Sequence, residues 1–296
     1  MKIENKRVSV FESKDEMKQD EIFHYTSVDS FSKIISNSSV HLTSSIYMND
    51  GEELIWIKNI LDHHHLESNN FKYNEDRVKQ LLKMLDQIEE MEVFLFSFSK
   101  KKDLLSQWRG YADDSEGVSI GFNIEELVKE LKSKRLRRSS GSVSITDMAS
   151  FQLFSIEYDI IKQYEELKLD KNPKELHWNW IGSDFTWFKS VLSRFKSLSF
   201  KEEYEVRLSY LPVINVLKDG IRINGGLQDI FYKSKNGQLI PFFELKLKNM
   251  DKIISSITIG PNCRLTKSEI KRFLRTHKIY LDERKIYLSS STYRNR

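Results

Sequence analysis

Two acids stand two residues apart in the stretch Phe200-Lys201-Glu202-Glu203-Tyr204-Glu205-Val206-Arg207-Leu208. The stretch reads as the start of a buried strand, and alternate residues of a strand share a face. Glu203 and Glu205 are therefore expected to point the same way. Charged side chains are rarely set on a core-facing strand face unless they pair or do chemistry. Pairing would fall to Arg207 and Lys201, and both readings stay open at this point.

Other residues invite chemistry less strongly. His24-Tyr25-Thr26 ends an apolar strand, where a core histidine satisfied by a backbone carbonyl is the simpler reading. Ser97-Phe98-Ser99 puts two hydroxyls on one strand face and Phe98 on the other. Trp108 and Tyr111, three apart in Ser106-Gln107-Trp108-Arg109-Gly110-Tyr111, share one face of a helical turn. His63, His64 and His65 are consecutive, and successive helical residues diverge by about 100°, so no metal site is expected. Lys132, Lys134, Arg135, Arg137 and Arg138 can track phosphates, but the run lacks an aromatic to stack on a base and supports a nucleic-acid substrate only weakly.

The elements that must position these residues follow from hydrophobic periodicity. Strands are expected at 22–26, 40–43, 93–99, 117–122, 151–158, 204–210, 228–233, 239–247 and 253–259, with one more ending at Ser289. Ser27 or Asp29 is expected to cap the helix carrying Phe31, Ile34 and Ile35, and Asn37 to end it. Helices near 52–66 and 75–90 form a helical hairpin over the core within about 50–92. A helix-rich insertion spans 160–196, and a last helix runs over 266–276. Residues 1 to about 20 read as a flexible arm and 132–144 as a mobile loop. Strands scattered among helices without regular alternation predict an α+β fold with a mainly antiparallel sheet.

Composition bounds the rest. The 296 residues are 39% hydrophobic with a net charge of +4, enough for a large core and too weakly basic alone to argue for nucleic acid. The single cysteine, Cys263, excludes an internal disulfide framework and a four-cysteine zinc site, and fits a reducing cytosol. No signal peptide, membrane span, dinucleotide fingerprint or P-loop is read, and a cytoplasmic location is expected.

In combination these landmarks resemble an uncharacterised bacterial family associated with phage defence and abortive infection. They are His24-Tyr25-Thr26, Asn49-Asp50 with Glu53, Phe96-Ser97-Phe98-Ser99, Trp108 and Tyr111, and Gly117-Val118 through Gly121-Phe122. Glu203-x-Glu205-x-Arg207, Ile259-Gly260-Pro261 and Ser291-Thr292-Tyr293-Arg294 complete the set. More loosely, the chain is similar to ADP-ribosyltransferases, with His24 on the first strand, a serine motif on a middle strand and Glu-x-Glu on a later one. That resemblance implies a single domain over 1–296, built on a split antiparallel sheet with helical insertions. It also implies NAD as co-substrate and transfer of ADP-ribose to a macromolecule, with nucleic acid slightly favoured over protein as acceptor. Glu205 would then serve the ribose and Glu203 the acceptor. His24, Tyr25, Thr26, Ser97, Ser99, Trp108 and Tyr111 would hold the dinucleotide, with Tyr111 foremost in stacking. A toxin or defence effector, accompanied by an antitoxin or chaperone partner, is the expectation. The alternatives are a non-catalytic nucleotide or nucleic-acid sensor and an NAD glycohydrolase.

Overall fold

A computed structural model describes residues 12, 14–47, 52–86, 92–133, 150–176, 183–217, 220–224, 227, 229–235 and 237–293. The Asn49-Asp50 turn, most of the basic run after Lys132, Trp178, Trp180 and Arg294 lie outside the described residues. In chain order the elements begin with α1 (Lys14–Met17), β1 (Glu21–Thr26), α2 (Val28–Asn37) and β2 (Ser39–Ser44). Next come α3 (Glu52–Ile60), α4 (His63–Ser68), α5 (Glu75–Asp86), β3 (Phe94–Ser99), α6 (Leu105–Tyr111), β4 (Val118–Asn123) and α7 (Ile124–Ser133). The middle holds β5 (Ser150–Ser155), α8 (Ile160–Leu167), α9 (Ser183–Leu192), β6 (Glu205–Leu211), β7 (Val213–Leu217) and β8 (Gly220–Asn224). The chain closes with β9 (Ile230–Lys235), β10 (Gln238–Lys246), α10 (Met250–Ile253), β11 (Ile254–Ile259), α11 (Lys267–Thr276) and β12 (Ile286–Leu288).

The fold is α+β around a ten-stranded sheet in the order β12-β11-β4-β1-β3-β2-β10-β9, with β6 against β3 and β5 against β6. Among the described strands every pairing is antiparallel except β11 with β12. One sheet face is apolar and carries Ile22, Leu42, Phe94, Phe96, Phe98, Ile120, Phe122, Leu208 and Phe243, covered by α2, α7 and α11. Local chemistry sets the entry to this layer. The Ser27 hydroxyl accepts from the Ser30 N–H to start α2, and Ser38 ends it in the left-handed region at φ 49°.

The topology forks at β3. A strand has two hydrogen-bonding edges, and β6 occupies one of them along all six residues of β3. β1 and β2 must then share the other edge. β1 touches it only through Phe23 opposite Ser99, and β2 only through Thr43 and Ser44 opposite Leu95 and Phe94. Phe96, Ser97 and Phe98 face no strand on that side, and the sheet opens there.

Three expectations are corrected. The helix foreseen over 52–66 breaks at Leu61-Asp62 into α3 and α4. The helical hairpin does not lie over the sheet. Its Ile57, Ile60, Leu66, Leu81 and Leu85 pack with Tyr164, Leu167, Phe188 and Phe195 of the 160–196 segment into a separate apolar cluster. The arm is held well before residue 20, because Met17 enters the sheet core and Glu12 bonds β5 through Leu153 and Ser155. The β7–β8 hairpin was not foreseen at all.

Phe188 is fully buried at the centre of the second cluster. Phe188→Ala is expected to lower unfolding free energy by about 3–5 kcal/mol, read from urea denaturation.

Candidate active site

The fork floors a cavity of about 330 Å³ lined from both halves of the sheet: His24, Thr26, Ser97, Gln107, Tyr111, Lys196, Glu203, Glu205 and Arg207 among others. Its far end carries Lys33 of α2, His41 and Thr43 of β2, and Lys233 and Lys235 of β9.

His24 stands where β1 leaves β3. Its Nδ1 lies 2.9 Å from the Ser97 carbonyl and donates to it, taking the place of the ladder bond that the fork removes. The ring stacks on Phe96 at 4.0 Å between centroids and 29° between planes. That donation leaves Nε2 as an acceptor, and it has no partner among the described residues. Burial lowers the imidazole from its ordinary 6.5 to about 4, so the ring is neutral near pH 7. The simple reading of a histidine satisfied by a carbonyl is therefore correct, and the same bond turns its second nitrogen into a usable acceptor. The buried Ser97 hydroxyl lines the same cavity and lies close enough to Glu205 to help hold that carboxyl down.

Glu203 and Glu205 are not two residues of one strand. Glu203 ends a 3₁₀ turn (Leu198–Glu203), Tyr204 turns left-handed at φ 50°, and β6 begins only at Glu205. The Ser99 hydroxyl pins the turn by donating to the Glu203 carbonyl at 2.7 Å, and it accepts from the Lys101 N–H. Both carboxylates reach the cavity, in different states. Glu205 is gripped by the Arg207 guanidinium in a fork, Nε to Oε1 at 2.7 Å and Nη2 to Oε2 at 3.0 Å, and by Lys196 Nζ at 3.2 Å. Burial opposes its ionisation, but Arg207 and Lys196 prevail and hold it well below the usual carboxylate range. Glu203 accepts from Lys196 Nζ at 2.6 Å and from the Tyr111 hydroxyl at 3.1 Å. Burial raises its carboxyl despite Lys196.

The sequence expectation placed Arg207 and Lys201 against these acids. Arg207 does pair with Glu205, while the second cation is Lys196, only 3% exposed and held between both carboxylates. Lys196 was missed because Arg194-Phe195-Lys196-Ser197 has no distinctive pattern and reaches the site by chain reversal after α9. Gln107 and the lysines of β9 were missed for the same reason.

Of the residues expected to hold a ligand, Trp108 and Ser99 do not line the cavity, and Tyr25 lines it while also packing on α6. The Trp108 ring is fully buried away from the cavity, and its indole N–H donates to Asp103 at 2.7 Å. The Tyr25 ring packs edge-on against Trp108 at 4.7 Å, its hydroxyl donating to the Lys101 carbonyl and accepting from the Leu104 N–H. Alternation on β1 turns the Tyr25 ring to the face opposite His24, towards α6, and the cavity at the fork borders both residues. Ser99 is fully buried and braces the Glu203 turn instead of meeting a ligand. His24, Tyr25, Thr26, Ser97, Tyr111, Glu203 and Glu205 do line the cavity.

Residues 107–208 match a family described as a protein of unknown function (DUF2971). The matched stretch runs from Gln107 through β6, so it contains Tyr111, Lys196, Glu203, Glu205 and Arg207 and excludes His24 and Ser97. No curated protein and no solved structure matches the chain. No helix among the described residues is long and apolar enough to cross a membrane.

Two predictions follow from this geometry. Glu205→Gln removes the carboxylate that faces buried Arg207 and is expected to cost about 3–5 kcal/mol in denaturant unfolding. Restoring balance with Arg207→Met in the same chain should recover part of that loss. For His24 the folded value of about 4 lies below the ordinary 6.5, so the unfolded chain binds the extra proton first. The native state then loses on the order of 3 kcal/mol as pH falls from about 6.5 to about 4, and none of this loss arises above that window. Thermal melts should show the gap between wild type and His24→Asn shrinking over that interval.

Proposed function

We propose that the fork binds NAD and that the protein transfers its ADP-ribose to a macromolecular acceptor, as a single ADP-ribosyltransferase-like unit acting as a toxin or defence effector. The carrying observation is one cavity, opened by a split in an antiparallel sheet. In it a neutral histidine with a free acceptor nitrogen, a serine hydroxyl, a tyrosine and a reachable carboxylate face the same space. These donors and acceptors suit ribose hydroxyls. Tyr111, 42% exposed, offers an aromatic face for a base. Lys33 supplies positive charge for a diphosphate, although it also pairs with Asp29.

The roles of the two acids are reassigned within this reading. Glu205 already accepts from three N–H donors and its charge is offset by two cations, so it serves as the brace that fixes Lys196 and Arg207. Glu203 is the carboxylate for the ribose. When the C1′–N bond breaks, nicotinamide leaves with the electron pair and C1′ becomes oxocarbenium-like. Glu203 accepts from the ribose 2′-hydroxyl and stabilises that charge. The acceptor's nucleophilic atom then bonds C1′, and its proton passes to solvent.

One observation favours a second reading, that of a non-catalytic nucleotide sensor. Lys196 and Arg207 together cancel the charge of Glu203 and Glu205, which weakens the field a developing cation would feel.

Purified protein incubated with labelled NAD and cell extract separates these readings. Nicotinamide release with label left on a macromolecule is the expected result, and Glu203→Gln should slow release by ~10²–10³ while keeping a single cooperative unfolding transition. A Glu203→Gln enzyme releasing nicotinamide at full rate would sink the catalytic assignment. NAD binding without release would establish the sensor, and release without label transfer the glycohydrolase.

A further inference from the structure

The cavity does not end at its lysines. His41, which lines it, stacks on Phe242 at 4.1 Å and 24°, and Phe242 stacks on Phe231 at 5.7 Å and 29°. Three rings thus step from the cavity across β2, β10 and β9 to the edge of the sheet. Register puts them on one face, with Phe242 opposite both Thr43 and Phe231. The outermost ring, Phe231, is 43% exposed. Alternation along β9 places Lys233 and Lys235 on the same face as Phe231. Lys233 reaches across the shelf, with Nζ 3.0 Å from the Thr43 hydroxyl and 5.9 Å from the Phe242 ring centroid.

Lysines on an edge strand are also an ordinary device against edge-to-edge pairing. That role explains neither a ring stack continuous with a cavity nor two lysines on the same face. Burial and the charge of Lys235 depress the Lys233 ammonium, a strain that an anion near both would relieve. The acids nearby do little to offset the pair. Glu244 is occupied by Lys246 and Ser39, and Asp229 is exposed ahead of the strand.

We infer that the acceptor is a single-stranded nucleic acid, with a base stacked on Phe231 and its phosphates at Lys233 and Lys235, so that the strand leads into the fork. The word acceptor rests on the ADP-ribosyltransferase reading, whereas the binding surface does not. An exposed aromatic flanked by cations suits unpaired bases, which every sequence offers. A duplex keeps its base faces stacked and cannot use the ring.

The test is fluorescence anisotropy on the full chain with labelled single-stranded RNA and DNA 12-mers and a blunt duplex, at 50 and 200 mM salt. Single strands of one or both sugars should bind, and the duplex at least about tenfold more weakly. Phe231→Ala should weaken single-strand binding about tenfold. Lys235→Gln should reduce the salt slope by about 0.7. Phe231 lies outside the cavity, so Phe231→Ala should release nicotinamide without acceptor at the wild-type rate. Duplex bound as tightly as single strand, binding unchanged in Phe231→Ala, or transferred label freed by protease and not by nuclease would each overturn the inference. The two proposals fail separately. Glu203-dependent release with Phe231-independent binding removes the shelf and keeps the NAD reading. Phe231-dependent binding without any nicotinamide release keeps the shelf and removes the NAD reading.

Discussion

β3 has two edges and three partners, and the rest of the site depends on that mismatch. β6 fills one edge completely. β1 and β2 both run antiparallel to β3, hence parallel to each other, and parallel neighbours need a crossover, here α2. The crossover carries the chain away from β3 after Phe23 and returns it only at Thr43. Backbone groups in the intervening gap lose their ladder, and buried polar groups left without partners are costly. The fold meets that demand with a side chain, the His24 imidazole on the Ser97 carbonyl. The feature that makes the sheet imperfect therefore also orients the histidine.

A second constraint acts on the opposite wall. Glu203, Glu205, Lys196 and Arg207 are all largely removed from water. A lone buried charge costs several kcal/mol, so each of these residues depends on the others. Arg207 is the anchor, because its guanidinium also donates to the Ser193 carbonyl and ties β6 to the segment after α9. Lys196 is thereby aimed at Glu203 as well as Glu205. The left-handed Tyr204 between the two acids costs about 1 kcal/mol or more. Without it Glu203 would continue β6 and, by strand alternation, lie beside Glu205 against Arg207. The turn instead lifts Glu203 to a different height, where Tyr111 can meet it.

Much of this was legible in the chain. The strands β1, β2, β3, β4, β6 and β11 follow from apolar alternation, and His24, Ser97 and the acids could be singled out by residue type alone. What failed did so for identifiable reasons. Glu203-Tyr204-Glu205 looks extended in sequence, because nothing in a tyrosine announces positive φ. Trp108 and Tyr25 are aromatic and near the site, but only the direction of β1 relative to α6 shows that they pack on each other. Lys196 and the β9 lysines join the cavity through contacts distant in sequence, which periodicity does not register. The helical segments were found, yet their destination was misjudged, since an amphipathic face shows that a helix is buried and not what buries it.

The charge states of the two walls are complementary in the proposed reaction. A histidine protonated at neutral pH would set a positive charge near a developing oxocarbenium ion and oppose it. Burial prevents that by keeping His24 neutral, and its bond to Ser97 leaves an acceptor nitrogen facing the cavity. On the other wall the cations are not removed but compensated, since Glu205 absorbs Arg207 and shares Lys196. Glu203 is then the one carboxylate whose oxygens are held only by a lysine and a tyrosine hydroxyl among its described contacts. A wall with a single acid against Lys196 and Arg207 would present net positive charge to the sugar. Two acids are needed for one to act, which is a physical reason for the pair at positions 203 and 205 even though the two do different things.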